Sequence, residues 1–588
     1  MAERLKPVDV VTVGVGLAGS ILAKELAYSG LKVVGLERGA NRHTVPDFQA
    51  PEMHDELKYA VRKALMQNVH KEAVTQRAHY RDTALPVRRW EAFLPGEGLG
   101  GSAVHWNGQS YRFQEQDFIY KTHIEQRYGR SFLDPEITIQ DWGVTYGELE
   151  PYYTRFEELL GVCGKAGNLQ GKIQPGGNPL ESWPSKEYPN PPMKEQFIGA
   201  LFRKATTEMG YHPYLQPSSN MTRPYTNPEG ITLNPCVYCG FCERFGCEHF
   251  AKASPQTVIL PVLMKSSNYQ LRTGAHVTRI NLDSSGKRAT GVTYTDTATG
   301  KEYEQPADLV LLTAFSFNNP RMLLLSGIGK PYDPTTGKGV VGRNYAYQMQ
   351  NDVWAFFDED KHMNPFMGAG GSGTLIDDFS GDNFDHSPHG FIGGSYIMGV
   401  FTNGRPIMFH PTPPGTPRWG GQWKKAVARH YNHTGHILLH GSSTATRWNY
   451  LDLDPTYKDA WGQPLLRMTF DFPANDVRMS RFVTEKAHEI GHRMGAKVVS
   501  GDPRTGPLDV TVYQSTHNTG GAVMGASPET SVVNRYCQSW DVSNLFVVGA
   551  CNYPQNATWN PTITLGALIY WVSDALKNRY IKHPGALV

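Results

Sequence analysis

An α/β fold opening on a strand, loop, helix and strand is predicted by three features near the N-terminus. Val8 to Val13 is an apolar, β-branched run without polar alternation, the pattern of a strand buried on both faces. It runs directly into Gly14-x-Gly16-x-x-Gly19, and Leu17, Ile21, Leu22 and Leu26 then recur at helical spacing up to Gly30, which sits where a C-terminal cap closes a helix. A second apolar run, Leu31 to Leu36, ends at Glu37.

That order is a Rossmann-like dinucleotide unit. Gly14 allows the tight turn, Gly16 lets backbone approach a pyrophosphate, and Gly19 lets helix and strand pack closely, with Leu17 and Ala18 opening the helix beneath the phosphates. Glu37, followed by Arg38, falls at the acid position about 20 residues on, suited to a ribose hydroxyl. The glycine spacing alone is weak, because 60 glycines in this chain produce it by chance. The full order is specific, although it leaves the choice of dinucleotide open.

The 588 residues suffice for two or more domains. Neither nucleic acid nor an anionic membrane is indicated as a partner by a formal charge of +2 with 19% charged residues. No apolar run is long enough to span a bilayer, and a first strand at Val8 leaves no room for a cleavable export signal, so export is expected only as the passenger of a partner. The odd count of seven cysteines, four of them between Cys236 and Cys247, argues against a disulfide framework. Cys163, Cys537 and Cys551 read as isolated buried thiols.

Along the chain, residues 41–87 are polar and His-rich and read as helix and loop. The run Gly98-Leu-Gly100-Gly101-Ser102-Ala-Val-His105-Trp106-Asn107-Gly108 implies backbone pressed against something flat or charged. Aromatics, prolines and charges fill 113–213, with loops from Gly164 to Pro192. In Cys236-x-x-Cys239-x-x-Cys242-x4-Cys247 the thiols crowd too tightly for the usual pair of zinc knuckles, which favours an iron-sulfur cluster over zinc. The last gap is one residue longer than in the ferredoxin run, and Glu248 replaces the usual proline. Gly274 to Ile280 and Asp308 to Ala314 read as strands returning to the first sheet. Between Tyr345 and Gly506 no motif points to chemistry. Near the C-terminus stand His517, in Ser-Thr-His-Asn-Thr-Gly-Gly, and Asn560-Pro561-Thr562, where Asn560 reads as the cap of a helix from Thr562 to Leu576.

Together these stretches resemble the glucose-methanol-choline (GMC) family of flavin oxidoreductases, in its iron-sulfur-containing subgroup. The resemblance implies FAD in a Rossmann-like domain and a discontinuous second domain built on a large antiparallel sheet. The implied FAD-binding domain is 1–112, 214–344 and 507–588, including a cluster loop at 224–256; the substrate-binding domain is 113–213 and 345–506. Gly98 to Gly108 wraps the isoalloxazine ring, with His105 at a position that in some members bonds covalently to the flavin; the alternative is a packing histidine. Val277 and Ala314 fall beside the adenine half, and Gly549, Ala550, Asn560, Pro561 and Thr562 in the closing strand and helix. His517 matches the catalytic histidine and Asn560 its partner.

The implied reaction is oxidation of a secondary alcohol of a sugar or sugar acid, first of all D-gluconate to 2-keto-D-gluconate. The alternatives are oxidation of the C3 hydroxyl of glycosides and a flavoprotein serving only electron transfer or structure. Cys236, Cys242 and Cys247 nearly reproduce the subgroup's 3Fe-4S pattern, with Cys239 spare or completing 4Fe-4S. The implied partners are a small subunit carrying the export signal and a multihaem cytochrome c subunit, in the periplasm; without a partner the chain would stay cytoplasmic.

Overall fold

The structure is a computed structural model that describes residues 2–49, 65–89, 92–365, 367–401, 411–510 and 516–587. Tyr513, Gln514 and Ser515, which lead into the His517 run, and part of the 41–87 stretch lie outside those residues.

The opening unit forms as its pattern requires. Val8–Val13 is a strand, Leu17–Ala27 a helix and Val33–Leu36 the next strand, pairing in parallel with Val10 opposite Val33. They belong to an eight-stranded sheet whose path runs Tyr269–Arg272, Val33–Leu36, Val8–Val13, Glu302–Leu312, Ala289–Asp296, Ala275–Leu282. The first four strands are parallel and the last two add an antiparallel meander. Leu545–Val547, in the expected closing strand, pairs in parallel with Glu302–Leu312. The apolar faces of the Leu17–Ala27 and Thr562–Ala575 helices pack in one core with this sheet.

A second sheet of six strands, antiparallel throughout, runs Val498–Ser500, Met349–Phe356, Thr434–Gly441, Ser395–Gly399, Thr374–Ile376, Tyr214–Leu215. Its two faces differ, as the period of a strand dictates. Val353, Ala355, Ile437 and Leu439 pack with Met479, Val483, Ala487 and Ile490 of the Ala474–Arg493 helix. On that face Asn351 donates to Ser480 and Thr484 at 2.7 Å each. The intervening residues Gln350, Asp352 and Trp354, and across the ladder His440, Leu438 and His436, face a cavity of about 570 Å³ between the two sheets.

The 41–87 stretch holds one element its polarity hid. Val74–Arg77 is a strand, pairing in parallel with Pro464–Thr469 in a four-stranded sheet.

Candidate active site

At one end of the cavity the glycines do what their spacing requires. Gly14 adopts φ +88°, and a Cβ there would lie 2.9 Å from Ala314 Cα and Thr313 O. A Cβ on Gly19 would come within 2.1 Å of Gly14 O, so helix and strand touch through it. Gly16 differs: the nearest atom to its Cβ would be Gly100 O at 3.8 Å, and its open side lines the cavity with Leu17, Ala18, Val277 and Ala314. Glu37 is fixed by two backbone N–H donors, Val15 at 3.0 Å and Gly39 at 2.9 Å. Arg38 pairs with Glu72, which also receives Arg321 at 2.9 Å. Burial pushes the Glu72 carboxyl up, but the two guanidiniums outweigh it and bring it down to about 2.

Gly98, Gly101, Ser102, His105, Trp106 and Asn107 form the next part of the wall, with a short 3-10 turn at Gly101–Val104. Three buried polar atoms here have no hydrogen-bond partner among the described residues: His105 Nε2, Asn107 Oδ1 and Gln109 Nε2. Burial, then the Lys252 ammonium, lowers the His105 imidazole to about 3, so its ring is neutral. Orphaned polar atoms on a cavity wall are what a polar heterocycle would satisfy, so these residues fit a flavin. Gly100 and Gly108 do not line the cavity. Gly100 donates to Val15 O at 2.9 Å and backs onto Gln256, while Gly108 backs onto Asn220. With Gly19, they support the site from behind.

The cysteine loop lies behind this wall. Arg244 N–H donates to His105 O at 2.7 Å, and Lys252 Nζ donates to Trp106 O, Cys242 O and Phe245 O at 2.7 to 2.8 Å. All seven cysteines are free thiols, with Cys163, Cys537 and Cys551 buried as expected. Burial raises the Cys242 thiol to about 12 and raises Cys236 further, and Cys239 and Cys247 add to both shifts. Four sulfurs in one loop are the donor chemistry of a cluster. Among the described residues no three His, Cys, Asp or Glu side chains gather into a group that could hold a metal ion, the four cysteines of this loop included.

At the far end the catalytic candidates meet. His517 takes φ +77°, uncommon for a non-glycine residue. Its Nδ1 is bonded to Gln348 Oε1, and Gln348 Nε2 donates to Thr558 O at 2.7 Å. The carbonyl of Gln348 can only accept, so the proton sits on Nδ1 and the lone pair of Nε2 is the basic atom. Burial and then the neighbouring His440 hold the His517 imidazole well below its ordinary pKa.

Asn560 corrects one expectation. It does not cap the final helix, which begins at Thr562 with Pro561 as its cap residue and no side-chain cap bond. Its carboxamide faces the site instead, donating to Gln109 Oε1 at 2.6 Å and accepting from the Tyr396 hydroxyl at 3.0 Å. Pro561, Thr562, Gly549 and Ala550 line the cavity beside it.

Gln109, Gln348, Gln350, Tyr396 and His440 were not singled out by sequence. The signal was present in part: Gln350-x-Asp352-x-Trp354 and His436-x-Leu438-x-His440 are polar alternations inside otherwise apolar strands, which mark a sheet face turned toward a site.

Residues 182–350 and 445–568 match the two parts of the GMC oxidoreductase pattern. The chain is 48% identical to the gluconate 2-dehydrogenase flavoprotein of Pantoea cypripedii, over 100% of this chain and 96% of that protein. It is 27% identical to the 2-methyl-1,2-propanediol dehydrogenase of Mycolicibacterium austroafricanum, covering 97% and 95%, and 25% identical to the fructose dehydrogenase large subunit of Gluconobacter japonicus, covering 98% and 99%. Among solved structures, pyridoxine 4-oxidase of Mesorbium loti superposes with a TM-score of 0.62 at 16% identity, covering 98% of this chain and 99% of that one. Formate oxidase gives 0.61 at 17%, covering 99% of each. These last two likenesses show the fold.

Proposed function

The chain belongs to the GMC oxidoreductase family, and from that premise we propose that it oxidises a secondary alcohol of a sugar acid, converting D-gluconate to 2-keto-D-gluconate. The reading is supported by the full-length similarity to a gluconate 2-dehydrogenase flavoprotein together with the pair of His517 and Asn560 at the cavity end. FAD, the cofactor of the family, supplies the acceptor for the hydride and its two electrons when bound along Gly14, Gly16, Glu37 and the 98–107 wall.

The chain's own residues do the rest. His517 Nε2 takes the hydroxyl proton, and burial keeps that imidazole neutral and ready through the physiological range. Asn560 holds the same hydroxyl by its carboxamide without competing for the proton. The opposite wall offers Gln350, Asp352, His436 and Arg504 for hydroxyls and a carboxylate, and the Trp354 ring for C–H faces, which suits a polyhydroxy acid.

Cys236, Cys239, Cys242 and Cys247 would hold an iron-sulfur cluster of three or four irons, whose chemistry is one-electron transfer. A multihaem cytochrome c subunit is the proposed acceptor, a small subunit the carrier of the export signal, and the periplasm the location. His105 is the residue that would carry a covalent flavin link. The reading is tested with the purified protein, an artificial electron acceptor and a panel of D-gluconate, other sugar acids, free sugars and methyl glucoside. Turnover confined to glycosides, with 3-keto products, would replace gluconate by the C3 reaction.

A further inference from the structure

Asp459, Ala460, Trp461, Gly462 and Gln463 make a turn between the strands Tyr450–Lys458 and Pro464–Thr469 of the four-stranded sheet. Asp459 builds it. One carboxylate oxygen accepts the backbone N–H groups of Trp461 and Gln463 at 2.9 Å each, its own N–H donates to Gln463 O at 2.8 Å, and Gly462 supplies φ +83°. The other oxygen accepts from Arg321 Nη2 at 2.6 Å, and Arg321 Nε donates to Pro464 O at 3.0 Å. Arg321 stands on the helix Asn318–Leu325, which follows the Glu302–Leu312 strand of the first sheet. The turn is thus fastened to the nucleotide end of the cavity, although it belongs to the stretch expected to bind substrate.

Gln463 lines that end of the cavity with Glu37, His276, Val277, Met322 and Leu325. In a dinucleotide unit the pyrophosphate lies at the first helix and the distal acid takes the ribose of the adenosine half, so the base lies beyond Glu37, in this part of the cavity. Trp461 stacks on the His276 ring, with centroids 3.9 Å apart and planes at 20°, and backs that wall. Burial, then the Arg38 guanidinium, lowers the His276 imidazole to about 4, so the ring is neutral. Gln463 Nε2 donates to Thr278 O at 2.8 Å. A peptide carbonyl only accepts, so the carboxamide cannot be turned round, and Gln463 Oε1 is committed to accepting. That oxygen is buried and has no hydrogen-bond partner among the described residues, as is true of His276 Nε2. A buried acceptor left unmatched is costly, and a ligand that brings an N–H to it recovers the loss. On the edge of adenine the exocyclic amine is the group that donates.

We propose that Gln463 reads the base of the bound FAD, its Oε1 accepting from the exocyclic amine of adenine, with Asp459 and Arg321 as positioning residues that hold the turn in place. The proposal rests on FAD as the occupant of the cavity and not on the identity of the alcohol. It gives the 459–463 turn a function: a segment of the stretch expected to bind substrate closes the adenosine end of the cofactor site and selects adenine over purines that lack the amine.

The test titrates apo-protein with FAD and with the dinucleotide in which unsubstituted purine replaces adenine, following the quenching of flavin fluorescence. His105→Ala is carried throughout, so that no covalent link interferes, and serves as the reference protein. The reference should bind FAD at least about tenfold more tightly than the purine analogue. Gln463→Leu in that background should weaken FAD by a similar factor while leaving the analogue within about threefold, because the two deletions remove one and the same hydrogen bond. Gln463→Met should behave alike, and it decides the point should the leucine variant not fold. Equal affinity of the reference for both dinucleotides, or a preference for FAD kept in full by the variants, overturns the proposal. No turnover is needed, so the result is independent of the substrate. A folded reference protein that binds neither dinucleotide defeats the FAD reading itself, and the proposal with it.

Discussion

The rings of His517 and His440 meet edge to face, with centroids 5.6 Å apart and planes at 82°. Each is bonded to a glutamine, His517 through Nδ1 to Gln348 and His440 through Nε2 to Gln350, so the two imidazoles present different nitrogens. Two buried imidazoles at this separation disfavour protonation of either.

The pH dependence follows with a definite sign. A base acts only when deprotonated, and its rate falls as pH drops through its pKa. His517 is held well below 6.5, so kcat with an artificial acceptor should stay level from pH 8 down through 6.5 and decline only at more acid pH. A sigmoid step centred at the ordinary histidine value would show that the ring is not desolvated as described.

His517→Ala should lower kcat by about 10² to 10⁴-fold, the usual worth of a positioned base. FAD content, read from the absorbance of the purified protein, should be unchanged, because the side chain's bond is to Gln348 on the far side of the site. Loss of the flavin would assign His517 a binding role.

Gly14 and Gly16 should separate folding from cofactor binding. Gly14→Ala puts a Cβ 2.9 Å from backbone atoms at φ +88°, costing on the order of 1–3 kcal/mol in thermal stability even without FAD. Gly16→Ala meets nothing nearer than 3.8 Å, so the apo-protein should melt as the parent does while FAD titration shows binding weakened at least about tenfold.

The cysteine loop is checked by analysis of iron and acid-labile sulfide. The parent should carry both, and Cys242→Ser should lose them while retaining FAD, since the loop contacts the flavin wall through backbone carbonyls of Trp106 and His105. Zinc in place of iron would contradict the cluster. Acid precipitation of the same samples tells whether flavin colour stays with the protein, and His105→Ala should release it if it does.

Local order made the nucleotide end legible. Strand, glycine turn, helix and acid are neighbours in sequence, and each carries its own steric reason, so Val8 to Glu37 could be read before any contact was seen. His517 and Asn560 were legible as fragments of a family pattern. The rest of the site was not, because Gln348, Gln350, Tyr396 and His440 converge only when strands far apart in the chain align in register. The capping reading of Asn560 failed for a related reason. Asn before Pro is a good local cap, but a buried carboxamide follows the stronger set of partners, here Gln109 and Tyr396.

The central claim is that this site moves electrons from a sugar acid into FAD, with His517 as the base. It is tested most directly by mixing the flavin-loaded protein with D-gluconate without oxygen or any other acceptor. The flavin absorbance should bleach in the parent and 2-keto-D-gluconate should form in proportion, while His517→Ala bleaches at least about a hundredfold more slowly. A flavin that stays oxidised in the parent, or bleaches equally fast in the variant, would contradict the account.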